Sequence, residues 1–210
     1  MSEVKGRRKG RIFVFSGPSG AGKSTLCNMA LAHFDSISFS ISYTTRAPRA
    51  GESDGVEYRF VDEARFEEMI ERGEFLEHAG VHGKRYGTAA RDIEELTGNG
   101  IDALLDIDVQ GAAQLMERRM GAVYIFVLPP SIDACIDRLN ERGDLKDAEL
   151  KLRVRNAQEE IKCAKDYDYV IINDILDMSF EKLKAIVIAE RTSRGAVAAE
   201  VERLFGISID

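Results

Sequence analysis

Cysteine, histidine and proline are scarce in this chain of 210 residues, with three, three and four copies respectively. The cysteines, Cys27, Cys135 and Cys163, lie far apart, form no CxxC pair and are odd in number, which argues against a disulfide framework and against a zinc cluster. Long hydrophobic runs are missing too. Stretches such as Val123 to Leu128 fall far short of the roughly 20 residues that span a bilayer, and no charged, apolar, small-residue leader opens the chain. The expectation is a soluble, unexported protein of the cytoplasm that meets no membrane. Positive charge is in deficit, 29 Lys and Arg against 36 Asp and Glu, so there is no general attraction to nucleic acid. The basic run Lys5, Arg7, Arg8, Lys9 and Arg11 is a local exception, read as a solvated, flexible tail over residues 1–10. No internal repeat or low-complexity tract is present.

What the chain does have is a phosphate loop. Gly17, Pro18, Ser19, Gly20, Ala21, Gly22, Lys23 and Ser24 spell GPSGAGKS, a complete GxxxxGK[ST] match, followed by Thr25. Glycines let successive backbone N–H groups turn inward around a β-phosphate, Lys23 adds a charge toward the β- and γ-oxygens, and Ser24 offers a hydroxyl to Mg²⁺. The motif needs a strand before it and a helix after it. Both are legible, as RIFVFS (11–16) and a helical pattern from Lys23 to His33. A Gly-rich turn that binds nothing would not need Lys then Ser at its end.

Short apolar runs alternate with amphipathic patterns almost to the end of the chain, the rhythm of βαβ units. Strands are expected at 11–16, 38–42, 103–108, 122–128 and 169–172, and helices at 23–33, 109–119, 131–141, 148–165, 179–192 and 196–205. Few polar positions interrupt the strands, so the sheet is expected to be parallel and covered by helices on both faces. The length suits one α/β core, residues 11–43 and 90–210, with small inserted lobes. Residues 44–89 form the insertion: a Pro/Gly loop, a strand at 57–61, a helix over 62–72 started by Asp62, a strand at 74–78 and a hairpin-like VHGKRYGT. A helical lid is expected over about 130–160. The last helix reads as core cover through Val197, Val201, Leu204 and Phe205, with a homodimer contact as the alternative.

Beside the phosphate loop stand SYTTRAPRAGE (42–52), GVEYRF, EFLEHA, YGT (86–88), LLDIDVQG (104–111), PPS, spaced arginines and YVIIND. This ordered set, over residues 11 to about 193, resembles the guanylate kinase family. The resemblance implies Mg²⁺-dependent transfer of the ATP γ-phosphoryl group to GMP or dGMP. Such transfer needs alignment and positive charge, because the acceptor phosphate, with a second pKa of about 6, is mostly dianionic at neutral pH and needs no general base.

Arg46 and Arg49 can offer two planar forks to one phosphate, and Tyr58 and Tyr86 could add hydroxyls. By themselves two loop arginines are as readily solvated, and the tyrosines as readily core. The resemblance assigns all four, with Glu52, to the GMP side. It places Glu77 and Asp108 on the guanine edge, where N1–H and the 2-amino group donate, and Ser42 and Thr88 near O6. Adenine offers neither donor, and sites built on such bonds reject the wrong ligand by roughly 10⁴ to 10⁵. Asp106, ending an apolar run, suits Mg²⁺ opposite Ser24, directly or through water, or else a cap on the following helix. Among Arg138, Arg142 and Arg153 the resemblance selects Arg142 and Arg153 as lid arginines acting on the transferring group with Lys23 and Arg46; helix-face salt bridges are the bland account. Asn173 is placed against adenine.

Arg85 stands where family members usually carry an aromatic, Tyr43 replaces a smaller residue, and the lid lacks a usual acidic pair. The first two flank acceptor contacts, so an altered KM is expected. Two other readings fit a related architecture: a ribose bisphosphate kinase, and a catalytically silent phosphopeptide-binding module. A sugar phosphate has no base edge for Glu77 and Asp108 to read, and a silent module needs no intact phosphate loop.

Overall fold

A computed structural model describes residues 8–81, 83–141 and 147–209. Along the chain run β1 (Ile12–Ser16), α1 (Lys23–His33), β2 (Ile37–Phe39), β3 (Tyr43–Thr44), β4 (Arg59–Phe60), α2 (Glu63–Glu71), β5 (Phe75–Val81) and β6 (Lys84–Ala89). Then follow α3 (Ala90–Gly98), β7 (Asp102–Asp106), α4 (Val109–Glu117), β8 (Val123–Leu128), α5 (Ile132–Glu141), α6 (Asp147–Ile161), β9 (Tyr169–Ile172), α7 (Leu176–Thr192) and α8 (Arg194–Phe205).

The core sheet has the order β2-β7-β1-β8-β9, and every neighbouring pair is parallel. β1 shows why its sequence is almost unbroken in hydrophobicity. Phe13 and Phe15 point to a cluster built with Leu26, Leu183 and Val187 of α1 and α7, while Val14 points to the opposite cluster with Ile93, Ala112 and Leu115 of α3 and α4. A strand with two buried faces takes a polar side chain only where a partner satisfies it, as at Ser16, whose hydroxyl donates to the Ile107 carbonyl at 2.9 Å. The second sheet, β4-β3-β6-β5, carries α2 over a separate small core of Phe66, Met69 and Phe75. As anticipated, Asp62 caps α2, accepting the Arg65 N–H at 2.7 Å.

Three expectations need correction. α3 has no counterpart in the sequence reading, because its cap is Ala89, which has no side-chain oxygen to mark a start. Leu204 and Phe205 at the end of α8 are exposed, and it is Ala198 that is buried there. Residues 8–10 are not a loose tail. Gly10 N–H bonds to the Thr97 carbonyl at 2.8 Å, and an ion-pair network centred on Asp102 holds the segment. That carboxylate, fully buried, accepts from Arg8 at 2.8 Å, the Arg11 N–H at 2.7 Å and Arg191 Nε at 2.7 Å. Arg11 itself reaches Glu190 at 2.6 Å. Three segments distant in sequence therefore share one buried anion.

Removing that anion leaves two arginines facing an uncompensated cavity. Asp102→Ala is expected to lower unfolding free energy by about 3–5 kcal/mol in urea titration. Since Asp102 lies at the N-terminal end of β7, away from Asp106, turnover per folded molecule should stay near wild type.

Candidate active site

The phosphate loop leaves the C-terminal end of β1, where ligands bind in open parallel sheets. Its shape depends on glycine at two points where other residues fail. A Cβ on Gly17, at φ 141°, would sit 2.1 Å from the Val127 carbonyl oxygen, and one on Gly22, at φ 86°, would meet Asn173 Nδ2 at 2.3 Å. Gly22 is also the left-handed cap that turns the loop into α1. Lys23 folds back over the loop, with Nζ donating to the Gly17 carbonyl at 2.6 Å. Beside it, Ser24 Oγ lies 3.4 Å from Asp106 Oδ2. The cap of α4 is Asp108, which accepts the Gly111 N–H at 2.8 Å, so capping is not the role of Asp106.

One cleft of about 310 Å³ is lined by Gly17, Ser19 and Lys23 of the loop, by Ser42 just before β3, by Arg46, Arg49, Tyr58 and Tyr86 of the lobe, and by Glu77, Asp106 and Asp108. A larger cavity of about 540 Å³ opens at the other end of the sheet, around Gly10, Ile12 and Met120. Size does not mark the site; the larger cavity lies at the strands' N-terminal ends, away from the loop.

Arg46 is aimed by Glu52, whose two carboxylate oxygens each accept from it at 2.9 Å. The same carboxylate accepts the Arg49 N–H at 2.7 Å. The Arg46 guanidinium holds the Glu52 carboxyl down at about 2, and Arg46 is itself shifted upward by the pair. It also lies over the Tyr58 ring at 5.2 Å, and Tyr58 packs edge-on against Tyr86 at 5.8 Å. Glu52, expected on the acceptor, is thus committed to orienting Arg46.

Glu77 sits on β5 and is only 3% exposed. The Thr88 hydroxyl donates to its Oε1 at 2.5 Å, so Thr88, fully buried behind the carboxylate, holds Glu77 instead of facing the cleft. Burial is the main reason that Glu77 is pushed up to about 7; the Thr88 bond opposes this, Asp108 adds to it and Arg118 opposes it. Asp108 is also raised, chiefly by burial.

Asn173 lines a separate cavity of about 270 Å³ with Gly20, Gly22 and Thr25 of the loop and Arg138. Its Nδ2 donates to the Ala21 carbonyl at 2.8 Å in a buried position, bracing the loop from behind. Arg138 of α5 ties the same corner together, donating to the carbonyls of Gly20 at 3.2 Å and Asn173 at 3.1 Å. Arg153 belongs to α6, and Arg142 lies outside the described residues. Arg85 and Tyr43 point away from the cleft: Arg85 pairs with Glu67 and covers the Phe66 ring, while Tyr43 packs on Phe75. Neither residue is among those that line the cleft. Glu160 of α6 also lines the cleft; its spacing of seven from Arg153, two helical turns, is the one sequence signal that links it to the lid arginine.

A hydroxyl and a carboxylate so close suit Mg²⁺, which takes few protein oxygens and completes its shell with phosphate and water. Among the described residues no group of three His, Cys, Asp or Glu forms a metal cage. Ser24 and Asp106 fit an ion that arrives with its nucleotide.

The guanylate kinase family model matches residues 9–190. A guanylate kinase of Geobacter metallireducens is 46% identical over 199 residues, 95% of this chain and 98% of that protein. One from Clostridioides difficile is 47% identical over 184 residues, 88% and 90% of the two chains. The crystal structure of guanylate kinase from Anaplasma phagocytophilum superposes with a TM-score of 0.76 at 34% identity, covering 97% of this chain and 99% of that one.

The raised Glu77 carboxyl sets a sign for pH dependence. Folding keeps its proton between the ordinary value of 4.5 and about 7, so its contribution to stability is full below 4.5 and is lost as pH rises through 7. Relative to Glu77→Gln, the ligand-free wild type should lose stability between about pH 5 and about pH 8, read as the difference in urea midpoints. A difference that does not change with pH would contradict the burial argument.

Proposed function

The chain belongs to the guanylate kinase family and transfers a phosphoryl group from ATP to GMP, and we propose that the cleft divides this work between cations that align phosphates and acids that select guanine. The observation that carries the proposal is the convergence of Lys23, Arg46 and Arg49 with Glu77 and Asp108 around one cleft. Lys23 and the loop N–H groups take the ATP phosphates. Arg46, held in its fork by Glu52, takes the GMP phosphate with Arg49 and the Tyr58 and Tyr86 hydroxyls. Glu77 and Asp108 accept from guanine N1–H and the 2-amino group, with Ser42 nearby.

Lys23 thus faces two polyanions at once, and stabilises the charge that shifts between them. Mg²⁺ held by Ser24 and Asp106 would neutralise nucleotide phosphate charge. Arg153 of α6, together with Arg142, would add charge at the transferring group, and closure over both substrates would exclude water. GMP binding also draws the proton from Glu77, since both donors of guanine prefer a carboxylate.

A coupled ADP-release assay with GMP, AMP, UMP, CMP and a ribose bisphosphate tests the reading. Turnover is expected with GMP and to be lower by about 10⁴ with AMP. Comparable turnover with a sugar phosphate, or none with any acceptor, would overturn it. Lys23→Ala is expected to cut kcat by about 10³ while leaving GMP affinity, measured by calorimetry, close to wild type. Simultaneous loss of both would contradict the proposed separation of roles.

A further inference from the structure

Gly111 is the third residue of α4, and nothing in its backbone asks for glycine. Its φ is not in the left-handed region, where the positive-φ glycines of this chain lie. In a helix, alanine is ordinarily more favourable than glycine by about 1 kcal/mol. The reason for glycine is therefore space. A Cβ at this position would lie 2.2 Å from Glu77 Oε2, 3.0 Å from Glu77 Cδ and 3.4 Å from Asp108 Oδ1. The N–H of the same residue donates to Asp108 Oδ1 at 2.8 Å.

We propose that Gly111 is a positioning residue for base selection: its bare Cα lets the Glu77 carboxylate close against the first turn of α4, while its N–H fixes Asp108. Both carboxylates assigned to guanine are thus referenced to one residue that touches no substrate. The inference rests on the reading of Glu77 and Asp108 given above. Glu77 cannot retreat deeper, because Oε1 is bonded to Thr88, which is fully buried, and the carboxylate is itself buried. The obstacle a methyl group would meet is the far end of a side chain and not backbone. The fold can accordingly survive, with the carboxylate displaced toward the cleft and out of register with the base.

The experiment compares Gly111→Ala, Glu77→Asp, the double variant, and Gly195→Ala, a helical glycine whose Cβ would meet nothing within 4 Å. Gly111→Ala is expected to lower kcat/KM for GMP by about 10²-fold, mostly through KM, to shrink the GMP-over-AMP preference, and to leave the KM for ATP unchanged. Gly195→Ala should alter none of these. In the Glu77→Asp background, whose shorter side chain vacates the space, adding Gly111→Ala should cost little more.

An unchanged GMP KM in Gly111→Ala, or losses that simply multiply in the double variant, would overturn the inference. If Glu77→Asp leaves acceptor preference untouched, the assignment of Glu77 to guanine has failed, and this inference fails with it. If Gly111→Ala does not fold, the double variant decides: recovery of a cooperative thermal transition supports the clash with Glu77, and continued failure overturns it.

Discussion

Charges of opposite sign have to share one cleft of about 310 Å³ without cancelling one another. The ATP triphosphate and the single GMP phosphate attract cations, the N–H donors of guanine attract anions, and in a confined space the two sets would readily collapse into salt bridges. The protein avoids this by giving each charged group a partner at its own edge of the cleft. Arg46 is held by Glu52, Lys23 by loop carbonyls, Glu77 by Thr88, and Asp108 by the first turn of α4. Each group is thereby aimed before substrate arrives, and little reorganisation is left for the reacting complex.

The same constraint explains why the site straddles two sheets. The loop and Asp106 sit at the C-terminal ends of neighbouring strands, β1 and β7, whose register pairs Phe15 with Asp106. Arg46, Arg49 and Glu77 sit on the lobe, whose own core of Phe66, Met69 and Phe75 is separate from the main clusters. The lobe is nevertheless tied to the core, since Gln114 of α4 both accepts the His78 N–H and donates to the His78 carbonyl of β5. Glu77 spans the divide, on a lobe strand but lodged against α4 of the core, and it is buried at a cost that appears as its raised pKa.

Stability and chemistry use ion pairs differently here. Asp102 collects Arg8, Arg191 and the Arg11 N–H at the N-terminal end of the sheet, away from the phosphate loop. Glu52 and Arg46 pair at the cleft with both partners partly solvated, so the pair serves aim more than stability. Similar contacts thus differ in consequence according to how far each is removed from water.

Much of this molecule was legible in order of residues alone. The apolar runs of β1, β7 and β8 had to be buried strands, GPSGAGKS had to be a phosphate loop, and Asp62 announced α2, because each signal depends on chemistry within a few residues, whereas β9 at the sheet edge leaves Val170 and Ile172 exposed. What tertiary structure decided was which atom each functional side chain spends on a neighbour. Glu52 and Thr88 were expected on substrate, yet each is occupied by a protein group that folding brings to it, 6 and 11 residues away respectively. α3 was hidden because Ala89 carries no capping oxygen. Arg138, Glu160 and Gly111 gained their meaning from segments remote in the chain, since hydrogen bonding and excluded volume act through space, and no local pattern encodes what will stand 3 Å away.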